Sequence, residues 1–108
     1  VNPPMDSTMM KDEIFGPILP ILVYKTDEEA LSIIESVNTN PLALFVFTKS
    51  KSRYEKFMAA CPSGMAARND GGVHMGISGF AFGGLGTSGI GSYKGKQSFE
   101  VFTHKKSS

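Results

Sequence analysis

Two hydrophobic patterns alternate along the first two thirds of the chain. Ile18-Leu19-Pro20-Ile21-Leu22-Val23-Tyr24 is a nearly continuous apolar run, the pattern of a strand covered on both faces. Pro20 lacks a ladder donor, so the regular part should begin after it. Thr26-Asp27-Glu28-Glu29 then has the form of a capping box, in which the threonine accepts from the Glu29 amide and Glu29 reaches back. Ala30, Ile33, Ile34 and Val37 follow as one helical stripe, and Asn38 and Pro41 should stop that helix. Leu42 to Thr48 reads as a second apolar strand. Ser52-Arg53-Tyr54-Glu55 reads as a second capping box, opening a helix with the stripe Tyr54, Phe57, Met58 and Cys61 and ended by Pro62 and Gly64. Met65 to Asn69 is a third strand, weakened by Ala66, Ala67 and Arg68. The expected fold class is α/β, a parallel β-α-β-α-β unit with short connections.

The pattern changes after Asn69. Ten of the twelve glycines fall between Gly71 and Gly95, and glycine brings no side chain to offset its ordering entropy. This segment should be irregular: either mobile, or laid against a surface outside this chain. Ser98-Phe99-Glu100-Val101-Phe102-Thr103 is long enough for one C-terminal strand. Within the glycine-rich part, Gly84-Leu85-Gly86-Thr87-Ser88-Gly89 matches G-x-G-x-x-G. A phosphate cradle needs a helix next, with amides facing the pyrophosphate. Here Ile90-Gly91-Ser92-Tyr93-Lys94-Gly95 comes next, without an amphipathic stripe, so the motif is read as a decoy.

Composition narrows the function classes. The formal net charge is +1, too small for the phosphate neutralisation that a nucleic-acid or membrane-surface protein needs. No apolar run approaches the roughly 20 residues of a membrane span, and one cysteine excludes an internal disulfide. Both facts fit a cytoplasmic protein. Cys61 lies on an apolar stripe at a helix C-terminus, where a thiol is a small core hydrophobe rather than an activated nucleophile. His74 and His104 have no Cys, Asp or Glu at ligand spacing, so no metal is expected. Lys105-Lys106 reads as a solvated tail. The chain opens at Val1 and not at an initiator methionine, so the expectation is a piece of a longer product.

Glu13-Ile14-Phe15-Gly16-Pro17 carries the most chemistry. An acid here can accept hydrogen bonds from a diol, an aromatic next but one can cover a flat ring, and Gly16-Pro17 shape the strand entry. The same five residues also suit an ordinary turn with Phe15 packed into the core. At this segment the sequence resembles the aldehyde dehydrogenase superfamily, through its E-[IV]-F-G-P motif. Leu42 to Thr48 resembles that family's following strand, and Ser63-Gly64 with Asn69-Asp70 its next one. Phe82-Gly83-Gly84-Leu85-Gly86-Thr87-Ser88-Gly89 resembles its P-F-G-G-x-x-x-S-G block. Phe102-Thr103-His104-Lys105 is similar to the end of the class 3-like branch that handles fatty and aromatic aldehydes.

The resemblance implies the C-terminal part of a catalytic domain over 1–98, with an oligomerisation strand and tail over 99–108. It implies a parent enzyme that oxidises aldehydes to carboxylic acids with NAD or NADP, through a cysteine thiohemiacetal and thioester. Glu13 would bind the nicotinamide-ribose hydroxyls and Phe15 would pack beside the nicotinamide. The glycine-rich stretch, with His74, Phe80 and Phe82, would line the aldehyde pocket. The implied partners are an aldehyde, the remainder of its own chain, and copies of itself in a homodimer or homotetramer, with no nucleic acid. The family's nucleophile cysteine and general-base glutamate lie upstream of E-I-F-G-P, so this chain holds no catalytic residue and should be inactive alone. A non-catalytic assembly module that keeps the fold is the alternative. Ala81 in place of the usual proline, Met65 in place of a common glycine, and Arg68 in a normally apolar strand position depart from the family pattern. An unpaired buried guanidinium would cost several kcal/mol, so Arg68 needs a partner or an exposed edge.

Overall fold

Three α-helices and two strands are found among the described residues. The structure, a computed structural model, describes residues 1–37 and 40–108. It divides into two units, Val1–Thr39 and Asn40–Ser108.

The first unit contains α1 (Asp27–Val37). Its entry is the expected box with one difference. The Glu29 amide donates to Thr26 Oγ1 at 3.2 Å, but the Glu29 carboxylate accepts from the Lys25 amide at 2.7 Å, one residue before the threonine. Asp27, Glu28 and Glu29 also place negative charge at the positive end of the helix dipole. Ala30 is buried on the stripe, while Val37 is exposed. The stop assigned to Asn38 lies outside the described residues. Residues 18–24 form no strand, contrary to expectation. Asn2 holds their backbone at two points: its amide donates to Ile21 O at 2.6 Å, and its Oδ1 accepts from the Val23 amide at 2.8 Å. A strand needs a ladder partner, and Leu19 is 80% exposed, so the apolar pattern is present without the surface that would use it.

In the second unit, β1 (Ala43–Val46) pairs in parallel with β2 (Met65–Arg68), and α2 (Lys51–Ala60) forms the crossover. The expected β-α-β-α-β unit is therefore reduced to β-α-β: an α/β chain with a small parallel sheet. The register sets Ala43 beside Met65 and Phe45 beside Ala67 on one face, with Leu44 beside Ala66 and Val46 beside Arg68 on the other. Met65, Ala67, Leu44, Phe57 and Cys61 are the buried core. Arg68 is exposed at the strand end, which removes the desolvation cost that its position threatened. Cys61 caps the C-terminus of α2, its amide donating to Phe57 O at 2.9 Å.

Helix α2 starts earlier than its sequence box suggests. Ser50, not Ser52, is the N-cap; its Oγ accepts from the Arg53 amide at 3.2 Å. Glu55 faces Lys51 instead, 3.6 Å away across one turn. An i,i+4 ion pair replaces the expected reciprocal cap.

The glycine-rich segment rests on this chain's own backbone. A Cβ on Gly64, at the entry to β2, would lie 2.0 Å from Gly83 O; one on Gly83 would lie 2.1 Å from Gly91 O, and one on Gly84 would lie 2.0 Å from Ser88 O. The segment is therefore stacked backbone on backbone, and Cβ atoms at these positions would hold the layers apart. Phe82 and Tyr93 close the stack through an antiparallel bridge, with N···O distances of 2.9 and 2.8 Å. Residues 96–101 form a helix, α3 (Lys96–Val101), where a C-terminal strand was expected. Lys96 and Glu100 stand 3.6 Å apart at helical spacing. Residues after Thr103 form no element.

Candidate functional site

The site begins at the end of β2. Asn69 takes a left-handed φ of 56° and turns its amide onto the end of β1: Oδ1 accepts from the Thr48 amide at 2.8 Å and Nδ2 donates to Thr48 O at 3.1 Å. The side chain thereby continues the ladder by one pair and frees the backbone to leave the sheet. Asp70 shapes the next turn. Its Oδ1 accepts from the amides of Gly72 at 2.9 Å and Val73 at 2.8 Å; its Oδ2 accepts from the His74 amide at 2.9 Å. These donors form one turn of 3-10 helix over Val73–Gly76. They stabilise the ionised carboxyl, and the His74 amide contributes most in lowering its pKa to about 2.

Asp70 also orients an imidazole. His74 Nδ1 lies 3.1 Å from Asp70 Oδ2, and the ring meets Phe45 edge-on with centroids 5.7 Å apart. The His74 side chain is only 15% exposed, and its Nε2 is fully buried without a hydrogen-bond partner. His74, Phe80 and Phe82 line one small cavity together with Met65, Met75, Ala81 and Lys94. The three residues expected at the aldehyde pocket are thus gathered in one place. The neighbouring groove, of about 340 Å³, is lined by Leu42, Tyr93, Val101 and the glycine stack.

Lys94 belongs to this site, and the sequence reading missed it. Its Nζ donates to Met75 O and lies 5.5 Å from the centre of the Phe82 ring, a cation–π arrangement. Its φ is +85°, held in part by its own amide donating to Ser98 Oγ at 2.8 Å. Non-glycine residues seldom occupy that region of backbone space. A signal existed, since Lys94 precedes a glycine inside a run of turn residues. Asp70 was signalled too: Asp-Gly-Gly directly after a strand is a turn that an aspartate commonly closes onto following amides.

Glu13 and Phe15 lie in the first unit. Both are exposed, and Phe15 at 93% is not packed into a core. The ordinary-turn reading of this segment is therefore wrong about the aromatic. The G-x-G-x-x-G segment itself contains a short 3-10 turn over Gly86–Ser88 and no α-helix follows it directly, so its amides build no α-helix N-terminus for a phosphate. Among the described residues no group of His, Cys, Asp and Glu could hold a metal ion. No helix of the described residues is long and apolar enough to cross a membrane.

Residues 1–108 match the model of the aldehyde dehydrogenase family, and the chain belongs to that family. Within it, the similarity is to the class 3 branch. The chain is 46% identical over 103 residues to aldehyde dehydrogenase family 3 member H1 of Arabidopsis thaliana, covering 95% of this chain and 21% of that protein. It is 43% identical over 101 residues to the dimeric NADP-preferring aldehyde dehydrogenase of Rattus norvegicus, covering 94% of this chain and 22% of that protein. Among solved structures, the substrate-bound state of Staphylococcus aureus AldH superposes with a TM-score of 0.88 at 39% identity, covering 97% of this chain and 23% of that one. This chain spans about a fifth of the length of these relatives.

Proposed function

We propose that this chain is the C-terminal part of the catalytic domain of an enzyme that oxidises aldehydes to carboxylic acids with NAD or NADP. The match to the aldehyde dehydrogenase family along the whole chain carries this reading. Bound NAD or NADP supplies the hydride acceptor. On this side of the cofactor, the Glu13 carboxylate accepts hydrogen bonds from the nicotinamide-ribose hydroxyls, and Phe15 packs beside the nicotinamide and excludes water. The exposure of both residues supports the assignment, since neither is committed to the interior of its own unit.

His74, Phe80 and Phe82 line the aldehyde pocket. Their shared cavity and the apolar groove beside it support this assignment. The remainder of the longer chain covers the apolar segment 18–24, completes its strand, and brings the nucleophile. The chain alone is therefore inactive. The parent assembles as a homodimer or homotetramer, in line with relatives named as dimeric, and works in the cytoplasm.

The test is to express the intact protein that contains this segment and follow reduction of NAD and NADP with a panel of aldehydes. Aldehyde-dependent reduction is expected, with none from the isolated 108-residue chain. Glu13→Gln should raise KM for the cofactor by about tenfold, the loss of roughly one charge-assisted hydrogen bond. An intact protein that reduces neither cofactor with any aldehyde overturns the reading.

A further inference from the structure

The imidazole of His74 is tied on one side and open on the other. Its Nδ1 lies 3.1 Å from Asp70 Oδ2, and three backbone amides hold that ionised carboxylate in place. A carboxylate only accepts, so Nδ1 carries the ring proton and Nε2 presents a lone pair. That lone pair has no hydrogen-bond partner and no accessible surface. Residues of the second unit alone enclose it, so no group from the rest of a longer chain reaches it without opening these walls. Buried polar atoms in folded proteins are nearly always hydrogen-bonded, so this acceptor calls for a donor enclosed with it.

Lys94 lines the same cavity. One ammonium hydrogen goes to Met75 O, and the head group lies 5.5 Å from the centre of the Phe82 ring, which leaves a further N–H to donate. The remaining walls include Met65, Met75, Phe80 and Phe82, thioethers and aromatic rings that compete poorly for a hydrogen bond. The volume of about 10 Å³ reaches the lower bound for one water and excludes a larger ligand. A metal ion would meet the Lys94 charge, and an anion would meet the His74 lone pair. A neutral group that accepts once and donates once satisfies both. We propose that one buried water molecule is bound here, accepting from Lys94 Nζ and donating to His74 Nε2. The relay from Asp70 through His74 and this water to Lys94 joins the turn after β2 to residue 94 and keeps the ammonium on the Phe82 ring. His74 is thereby a positioning residue for the Phe82 wall. That role rests on the aldehyde pocket proposed above; the water site does not.

The experiment is a crystal structure of the intact enzyme together with histidine nitrogen NMR of the same protein. One ordered water is expected within about 3.2 Å of both His74 Nε2 and Lys94 Nζ, with the ring proton on Nδ1 and none on Nε2. His74→Gln returns an amide oxygen as acceptor and should keep the water, whereas His74→Phe removes the acceptor and should lose it. In His74→Phe the KM for hexanal should rise by about threefold or more with kcat changed less, and His74→Gln should recover most of that rise. If either variant fails to fold, the unmodified enzyme still decides through the water and the tautomer. A proton on Nε2, no water at this point, or a protein side chain in its place overturns the water site, whether or not the enzyme oxidises aldehydes. A water present with KM unmoved by His74→Phe overturns the positioning role. Failure to oxidise hexanal or any other aldehyde overturns the proposed function and the positioning role with it, while the structure and the tautomer still decide the water site.

Discussion

Gly64 tests whether the glycine-rich segment is held by backbone contact. In Gly64→Ala the added Cβ would stand 2.0 Å from Gly83 O, 2.9 Å from Gly84 Cα and 3.0 Å from Gly83 C. All three are backbone atoms, so no side chain can swing aside. Ordinary contact begins at 3.4 Å, so the Gly83 carbonyl would have to retreat by about 1.4 Å. That movement pulls on Gly83 and Gly84, which are themselves stacked on Gly91 and Ser88. Overpacking of this kind costs about 1–3 kcal/mol, and a clash with rigid backbone belongs at the upper end, about 3 kcal/mol. Gly76→Ala is the control, because a Cβ there meets nothing within 4 Å. With no steric penalty it should be neutral, or stabilising by up to about 0.5–1 kcal/mol through the unfolded chain. The assay is urea unfolding of the intact protein for both variants, with amide hydrogen exchange on peptides spanning residues 79–95. Gly64→Ala should lower the midpoint and speed exchange in those peptides, and Gly76→Ala should do neither. If the two variants unfold and exchange alike, the stack does not hold the segment and the reasoning fails.

Single contacts elsewhere carry their own consequences. Ser50→Ala should destabilise α2 by about 1 kcal/mol and Ser52→Ala by clearly less, a comparison that fixes the helix start by thermal melting. Phe57→Ala should cost about 3–5 kcal/mol, since Phe57 is the largest of the buried side chains between α2 and the sheet; a loss under about 1 kcal/mol would place it outside the core. Asp70 has a folded pKa of about 2 against an ordinary 3.8, so its contribution to stability is full above about pH 4 and is lost as pH falls through 2. Asp70→Asn should flatten stability over that acid window, and carboxyl titration by NMR should show the native group ionised at pH 3. Arg68→Ala should change stability by under about 0.5 kcal/mol, as expected for an exposed strand end.

The two helices with caps and stripes were legible because their signals are local. Thr26, Glu29 and Ala30 specify the start and buried face of α1 within a few residues of each other. The start of α2 was displaced by two residues because two serines compete for one cap, and the choice turns on which hydroxyl meets the Arg53 amide. Residues 98–103 were misread for a related reason. Alternation in so short a run fits a strand as well as a helix, and periodicity alone does not decide between them. The pocket residues His74, Phe80 and Phe82 came from family resemblance, and nothing local in their sequence announced them.

The amino-acid sequence by itself determined the family, the α/β character, the parallel pair Ala43–Val46 with Met65–Arg68, and the harmlessness of Cys61 as a core thiol. These depend on residue order and on periodicities that the backbone imposes. Only the tertiary structure decided that the glycines pack against one another's backbone, that Asp70 holds the His74 ring, and that Lys94 and His74 line one cavity. The first and last of these join residues some 20 positions apart, and their energies come from close contact and desolvation, which a one-dimensional pattern does not contain. The apolar run at 18–24 shows the limit from the other side. Its sequence specifies a buried strand, but burial requires a partner surface, and here the run stays exposed.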